Sequence, residues 1–225
     1  MPQRLLFPDA RAASDALTFA GRAKALGDGA LRLQATGGTL AMTSAPLSPK
    51  GLFDTTPTVL GMRILRVDPE LVCDIVVEAS SLTADAGDPA SIALPETGLA
   101  PSWAGISPPR SGWSKQPGLA ASALAARAQW GIASVAEAMP LNPGEDAVRS
   151  IRATVWGAPD DALGGLPLGA AFAAFALGFI VGEETAPVLT SGPWTRVSLT
   201  RGHVIVRGPA RVGLTEVRTT GGVRP

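Results

Sequence analysis

The chain has 225 residues, 46% of them hydrophobic and 17% charged, and its 19 basic and 19 acidic side chains cancel. This composition excludes a disordered polymer and supplies enough apolar surface for a sizeable core, while the neutral balance excludes a whole-molecule field that would draw the protein to nucleic acid or an anionic membrane. One cysteine, Cys73, and one histidine, His203, leave no internal disulfide and no zinc cluster of the finger type.

The amino-terminal segment MPQRLLFPDAR has no apolar core of the kind a signal peptide needs, so a cytoplasmic location is expected. RLLF, residues 4–7, reads as a short strand ended by Pro8. SDALTFAGRAKAL, residues 14–26, has helical apolar spacing, with Ser14 as N-cap and Gly27 as the stop. The period then becomes two. LRLQAT and TLAMTS flank Gly37 and Gly38 as a hairpin, and TVLGMRILRV, LVCDIVVEA and SIALP follow as further strands. Cys73 lies in the apolar run from Leu71 to Val77 and reads as a small buried hydrophobe.

Residues 97–117 are dense in Pro, Gly and Ser and read as a loop. Helical spacing returns over 119–139 and 145–156, and a third helix is expected from near Pro167. TRVSLT and HVIVR, around Arg201 and Gly202, read as a final hairpin. The expected fold is therefore α+β: a mixed β-sheet with a covering helix, an Ala-rich three-helix layer and a carboxyl-terminal hairpin that rejoins the sheet. The boundaries are 1–97 for the sheet-rich region, 98–117 for the loop and 118–225 for the helical layer and hairpin, folding as one cooperative unit.

The uncharged run from Ala162 to Gly182 is long enough to span a bilayer. Its Ala and Gly content and its acidic flanks, Asp160, Asp161, Glu183 and Glu184, argue against insertion, so no membrane contact is expected. The order of three helices and a hairpin also matches a winged-helix domain. The third helix, however, has no polar side chain to reach phosphates or base edges. It reads as a core helix, with the acidic pairs as solvated flanks.

No phosphate loop, dinucleotide fingerprint or nucleophile elbow is present, so no cofactor, metal or catalytic residue is assigned. What remains is a group of Trp and Arg residues: Trp103, Arg110 and Trp113 in the loop, and Trp194, Arg196, Arg201 and His203 in the final hairpin region. Guanidinium groups beside indole rings suit a phosphate or carboxylate. Arg110, Trp113, Trp194, Arg196, Arg201 and His203 are accordingly the candidates for an anionic ligand. The competing plain reading has the Trp rings closing sheet edges and the Arg side chains pairing with the acidic helices. His203 needs a neighbouring Ser or Asp to act as a base, and the linear sequence places none beside it.

At SPPRSGW, in the Ala-rich helices and at SGPWTRVSLTRGHVIVRG, the chain resembles a group of uncharacterised proteins from high-GC actinobacterial genomes, over most of its length. That resemblance implies a cytoplasmic bacterial setting and no particular activity. The function expected from the residues is association without catalysis, as a homo-oligomer or with a protein partner. Binding of an anionic small molecule by the Arg/Trp/His group, as an enzyme or a binding protein, is the alternative. Nucleic-acid binding through the Arg-rich hairpin comes third, since the neutral net charge argues against it.

Overall fold

The computed structural model describes residues 4–51 and 53–208. Of the six arginines from Pro187 to Pro225, Arg211, Arg218 and Arg224 lie outside the described residues.

The chain begins with β1 (Arg4–Leu6) and α1 (Ala10–Lys24), then β2 (Ala30–Thr36), β3 (Thr39–Leu47), β4 (Thr58–Arg66) and β5 (Cys73–Glu78). Two short strands follow, β6 (Thr83–Ala84) and β7 (Ser91–Ala93), before β8 (Ser114–Ala120). The helical part comprises α2 (Ala121–Ala138), α3 (Glu145–Gly157), the small strands β9 (Pro159–Asp160) and β10 (Leu166–Pro167), and α4 (Leu168–Ala176). The described chain closes with β11 (Thr185–Ser191), β12 (Trp194–Leu199) and β13 (Gly202–Arg207).

The α+β class holds, and the dominant feature is an eight-stranded sheet of order β5-β2-β3-β4-β13-β12-β11-β8, antiparallel at every pairing. The terminal hairpin does rejoin the sheet: β13 pairs with β4, His203 opposite Met62 and Arg207 opposite Thr58. Gly37 and Gly38, both at positive φ, make the tight turn between β2 and β3, where a side chain would be strained.

Several elements start or stop elsewhere than their spacing suggests. Helix α1 begins four residues before Ser14, because the Asp9 carboxylate accepts from the Ala12 N–H at 2.8 Å and serves as the N-cap. The stretch read as loop ends in β8, an edge strand that pairs with β11, itself concealed in the sequence behind the apolar run. The apolar run is not one helix. Helix α4 occupies only Leu168–Ala176, and Gly178 at φ +70° terminates it. Arg22 completes that end by donating from Nη1 to the Leu177 carbonyl at 3.0 Å.

The core lies between one face of the sheet and the helices. Alternation in the strands sends Leu31, Leu33, Val197, Leu199, Val204 and Val206 to this side. Helix α4 lies on β4 and β13, with α2 and α3 packed outside it. Small residues permit the close approach: its own Gly169, Ala170, Ala173 and Ala174 are buried, and a Cβ on Gly61 of β4 would collide with Leu177. Phe179 leaves the helix and stacks on Phe19 at 5.9 Å between centroids, over Gly202. Phe172 stacks on Trp156 at 4.3 Å, whereas Phe175 is 39% exposed. The acidic flanks are also not uniformly solvated. Asp160 is buried and accepts from Arg127 Nε at 2.8 Å, and Glu184 accepts from the N–H and hydroxyl of Thr200.

Gly131 of α2 gives a stability test. A Cβ there would strike the Trp156 ring, whereas Gly21, in the middle of α1, faces open space. Ala is ordinarily the better helix residue by about 0.5–1 kcal/mol. Gly21→Ala is expected to stabilise by that amount in chemical denaturation, and Gly131→Ala to destabilise by about 1–3 kcal/mol through overpacking.

Candidate functional site

The sheet face turned away from the helices carries a second, smaller apolar cluster: Leu60, Trp103, Trp194 and Ile205, with Met62, Ile106 and Trp113 packed on it. The Pro-rich segment from Pro101 to Trp113 crosses this face. Two indole hydrogen bonds hold it there. Trp103 Nε1 donates to the Asp28 carboxylate at 2.9 Å, and Trp113 Nε1 donates to the Pro109 carbonyl at 3.0 Å, which closes the turn containing Arg110.

Register fixes what meets beneath the loop. Residues directly opposite in an antiparallel sheet share a face. One row therefore runs Arg32, Thr43, Met62, His203, Ser198 across five strands. A second runs Leu60, Ile205, Arg196, Leu189, Lys115. Between loop and sheet lies a cavity of about 170 Å³, lined by Thr43, Leu60, Met62, Trp103, Ser107 and Arg110 among others.

The arginines of the two rows differ in their partners. Arg32 is fully engaged, donating to both carboxylate oxygens of Asp74 at 2.8 Å and to the Ala104 carbonyl at 2.6 Å. The Arg32 guanidinium holds the Asp74 carboxyl below its usual range, so this pair is a structural clamp on the β2–β5 edge and the loop. Arg196 instead lies with its guanidinium carbon 5.0 Å above the Trp113 ring, and its Nε is buried without a hydrogen-bond partner. Arg207 sits similarly over Trp194 at 5.8 Å. His203 Nδ1 is 3.0 Å from the Ser198 hydroxyl, and burial followed by the Arg196 charge pushes its pKa below the ordinary value.

Of the candidates read from the sequence, Trp113, Trp194, Arg196 and His203 thus belong to this face, and Arg110 lines the cavity beside them. Arg201 does not join them. It stands in the β12–β13 turn and lines a small cleft on the helix side with Asp15, Arg22 and Arg63, where its carbonyl accepts from Arg63. The turn itself explains both outcomes. Its two residues are Thr200 and Arg201, with Leu199 opposite Gly202, so Ser198 faces His203. Taking Arg201 and Gly202 as the turn places Thr200 opposite His203, a register shift of two residues, and conceals Ser198 as the neighbour. Thr43, Met62 and Ser107 were also missed, because nothing local marks which strand will lie beside β13.

Cys73 lies on the edge strand β5, partly buried, with Sγ 3.8 Å from the Leu33 carbonyl, and burial raises its thiol pKa. Among the described residues no cluster of three metal-ligating side chains occurs, and no helix is long and apolar enough to cross a membrane.

Residues 1–105 match the model of a domain of unknown function, DUF8010, and residues 108–211 match that of another, DUF8185. The junction falls in the loop over the sheet. No curated protein matches the sequence. Similar solved structures include the pol III beta of Caulobacter crescentus, with a TM-score of 0.48 and 11% identity over 92% of this chain and 65% of that one. Others are a DnaN sliding clamp of Bartonella birtlesii bound to griselimycin (0.48, 13%, 95% and 67%) and the DNA polymerase sliding clamp of Pseudomonas aeruginosa (0.43, 10%, 95% and 66%). The chain spans about two thirds of the length of these clamps.

His203 makes stability depend on pH. The folded state holds the imidazole below the ordinary value of 6.5, so the unfolded chain takes up the proton more readily. Stability is then expected to rise as pH climbs through that value and to fall as pH drops below it. Urea midpoints at about pH 5.5 and about pH 7.5 bracket the window. His203→Gln should flatten the part of the difference that belongs to this residue.

Proposed function

We propose that the protein acts by association, pairing with a second copy of itself through the outward face of α2, rather than by turning over a substrate. The observation that supports this reading is the chemistry of that face. The exposed positions from Ser122 to Ala136 fall within one arc of about 160° at 100° per residue, and none of them is charged. Small residues, Ser122, Ala126, Ala133 and Ala136, run down its middle, with Trp130 (50% exposed) on one flank and Ile132 (42%) on the other.

A solvated helix face ordinarily carries charge. Here the only two charged residues of the helix are elsewhere or at its end: Arg127 turns inward to Asp160 and stacks over Trp130 at 4.3 Å, and Glu137 is in the last turn. In a two-fold contact a face meets its own copy, so a face without charge meets no self-repulsion. Its small residues let the second backbone come near, and Trp130 supplies the kind of large, rigid side chain that anchors interfaces.

Native mass spectrometry and light scattering on the full chain test this. The wild type is expected to dimerise with concentration, and Trp130→Glu to weaken the dimer about thirtyfold or more, the equivalent of about 2 kcal/mol, with an unchanged circular-dichroism spectrum. A wild type that stays monomeric at every concentration, or a Trp130→Glu variant that dimerises equally well, would overturn the reading.

A further inference from the structure

We infer that the cleft between α3 and the connection from β3 to β4 binds a small amphipathic molecule, an apolar body carrying one oxyanion head. None of the residues lining it belongs to α2, so the inference does not rest on the association proposed above.

The cleft follows from how α3 is set against the sheet. Glu145, Val148, Arg149, Arg152 and Ala153 line one wall, and their spacing of three and four puts them on a single face of the helix. Leu47, Ser48, Lys50 and Asp54 stand on the facing wall. The walls meet at the carboxyl end of α3, where a Cβ on Gly157 would lie 3.4 Å from the Pro57 ring. Toward the amino end they leave about 410 Å³ open, within the roughly 300–1,000 Å³ of pockets that take a whole small molecule. One wall comes from residues 1–105 and the other from residues 108–211, the two matched domain regions, and ligand clefts form preferentially at such junctions.

Charge selects the head. Three cations line the cleft, and none is firmly committed elsewhere. Among the described residues Arg152 has no carboxylate within ion-pair distance. Lys50 Nζ is 3.9 Å from Asp28, at the limit of such a pair. Arg149 pairs with Asp146, but the two side chains are 57% and 95% exposed, so water screens them. Of the two acids, Asp54 is already occupied: its carboxylate accepts from the Lys50 N–H at 2.8 Å and the Thr56 N–H at 2.9 Å, which fixes the turn that carries Lys50. Glu145 alone then opposes three cations, and the balance favours an anion. Arg152 is half-buried, with its guanidinium carbon 5.8 Å from the centre of the Phe172 ring, so its planar fork is oriented before a ligand arrives. The floor selects the body. Leu47 is buried, and Val148 and Ala153 are half-buried, an apolar surface that an inorganic ion alone would leave uncovered.

Fluorescence titration of the full chain with 1-anilinonaphthalene-8-sulfonate, an aromatic body with one sulfonate, tests the assignment. One saturable site is expected, with a dissociation constant of about 20 µM from the usual binding efficiency of a ligand this size. N-phenyl-1-naphthylamine, the same body without the sulfonate, should bind about tenfold more weakly, and Arg152→Gln should cost the sulfonate a similar factor. Lys50→Gln and Arg149→Gln should each weaken it about threefold. Both residues are exposed and stand on opposite walls, so they probe the cleft even where loss of Arg152 disturbs the fold. Trp130→Glu, on α2, should leave the affinity unchanged. No saturable binding by the wild type, equal affinity for the uncharged body, or a loss on Trp130→Glu as large as that on Arg152→Gln would overturn the assignment.

Discussion

The pairing of β13 with β4 is the constraint on which the rest of the structure depends. Residues His203–Arg207 lie antiparallel to Thr58–Met62, and through them the strands of the first hundred residues and those of the last hundred form one continuous sheet. Without this seam, β2 to β5 and β8 with β11 to β13 would each expose an unpaired edge, a costly arrangement for buried backbone. The same seam supplies the floor for α4, whose Ala-rich face needs the space left by Gly61 and Gly202. It also places Met62 beside His203, which completes the row of side chains under the loop.

The two faces of this sheet divide the chemistry. On the helix side three cations have structural partners: Arg22 caps α4, Arg63 pairs with Asp15, and Arg127 pairs with Asp160. The outward face of α2 from Ser122 to Ala136, on the same side, carries no charged residue. On the opposite side an apolar cluster of Trp, Leu and Ile supports two arginines that lack acidic partners. The loop carrying Trp103 and Trp113 separates that cluster from solvent, and its hold on the sheet comes from Asp28 and from the Arg32 contact with Ala104.

Much of the first half was legible because its signals are local. Period-two alternation and the Gly37–Gly38 turn locate β2 and β3, and the apolar spacing of Ala16, Phe19, Ala20 and Ala23 locates α1. The start of α1 was misplaced because Asp9 competes with Ser14 as a cap and wins by contact with the Ala12 N–H. Strands β8 and β11 were not legible. SKQPGLA contains Pro and Gly and lies on an edge, where Pro117 can leave its missing N–H facing outward, and TAPVLTS follows directly on a run that reads as helix. Only their mutual pairing makes either a strand. The candidate site was half legible for a similar reason. Trp113, Trp194, Arg196 and His203 stand out by residue type, but the strand that lies beside His203 is β4, about 140 residues earlier in the chain, and of the candidates only Arg110 lines the cavity under the loop.

Native-state hydrogen exchange tests the seam most directly. Amides in β4 and β13 are expected to exchange together, with an opening free energy equal to that of global unfolding measured by urea. Rapid exchange confined to β12 and β13, while β2, β3 and β4 remain protected at the global value, would contradict a sheet made continuous at that pairing.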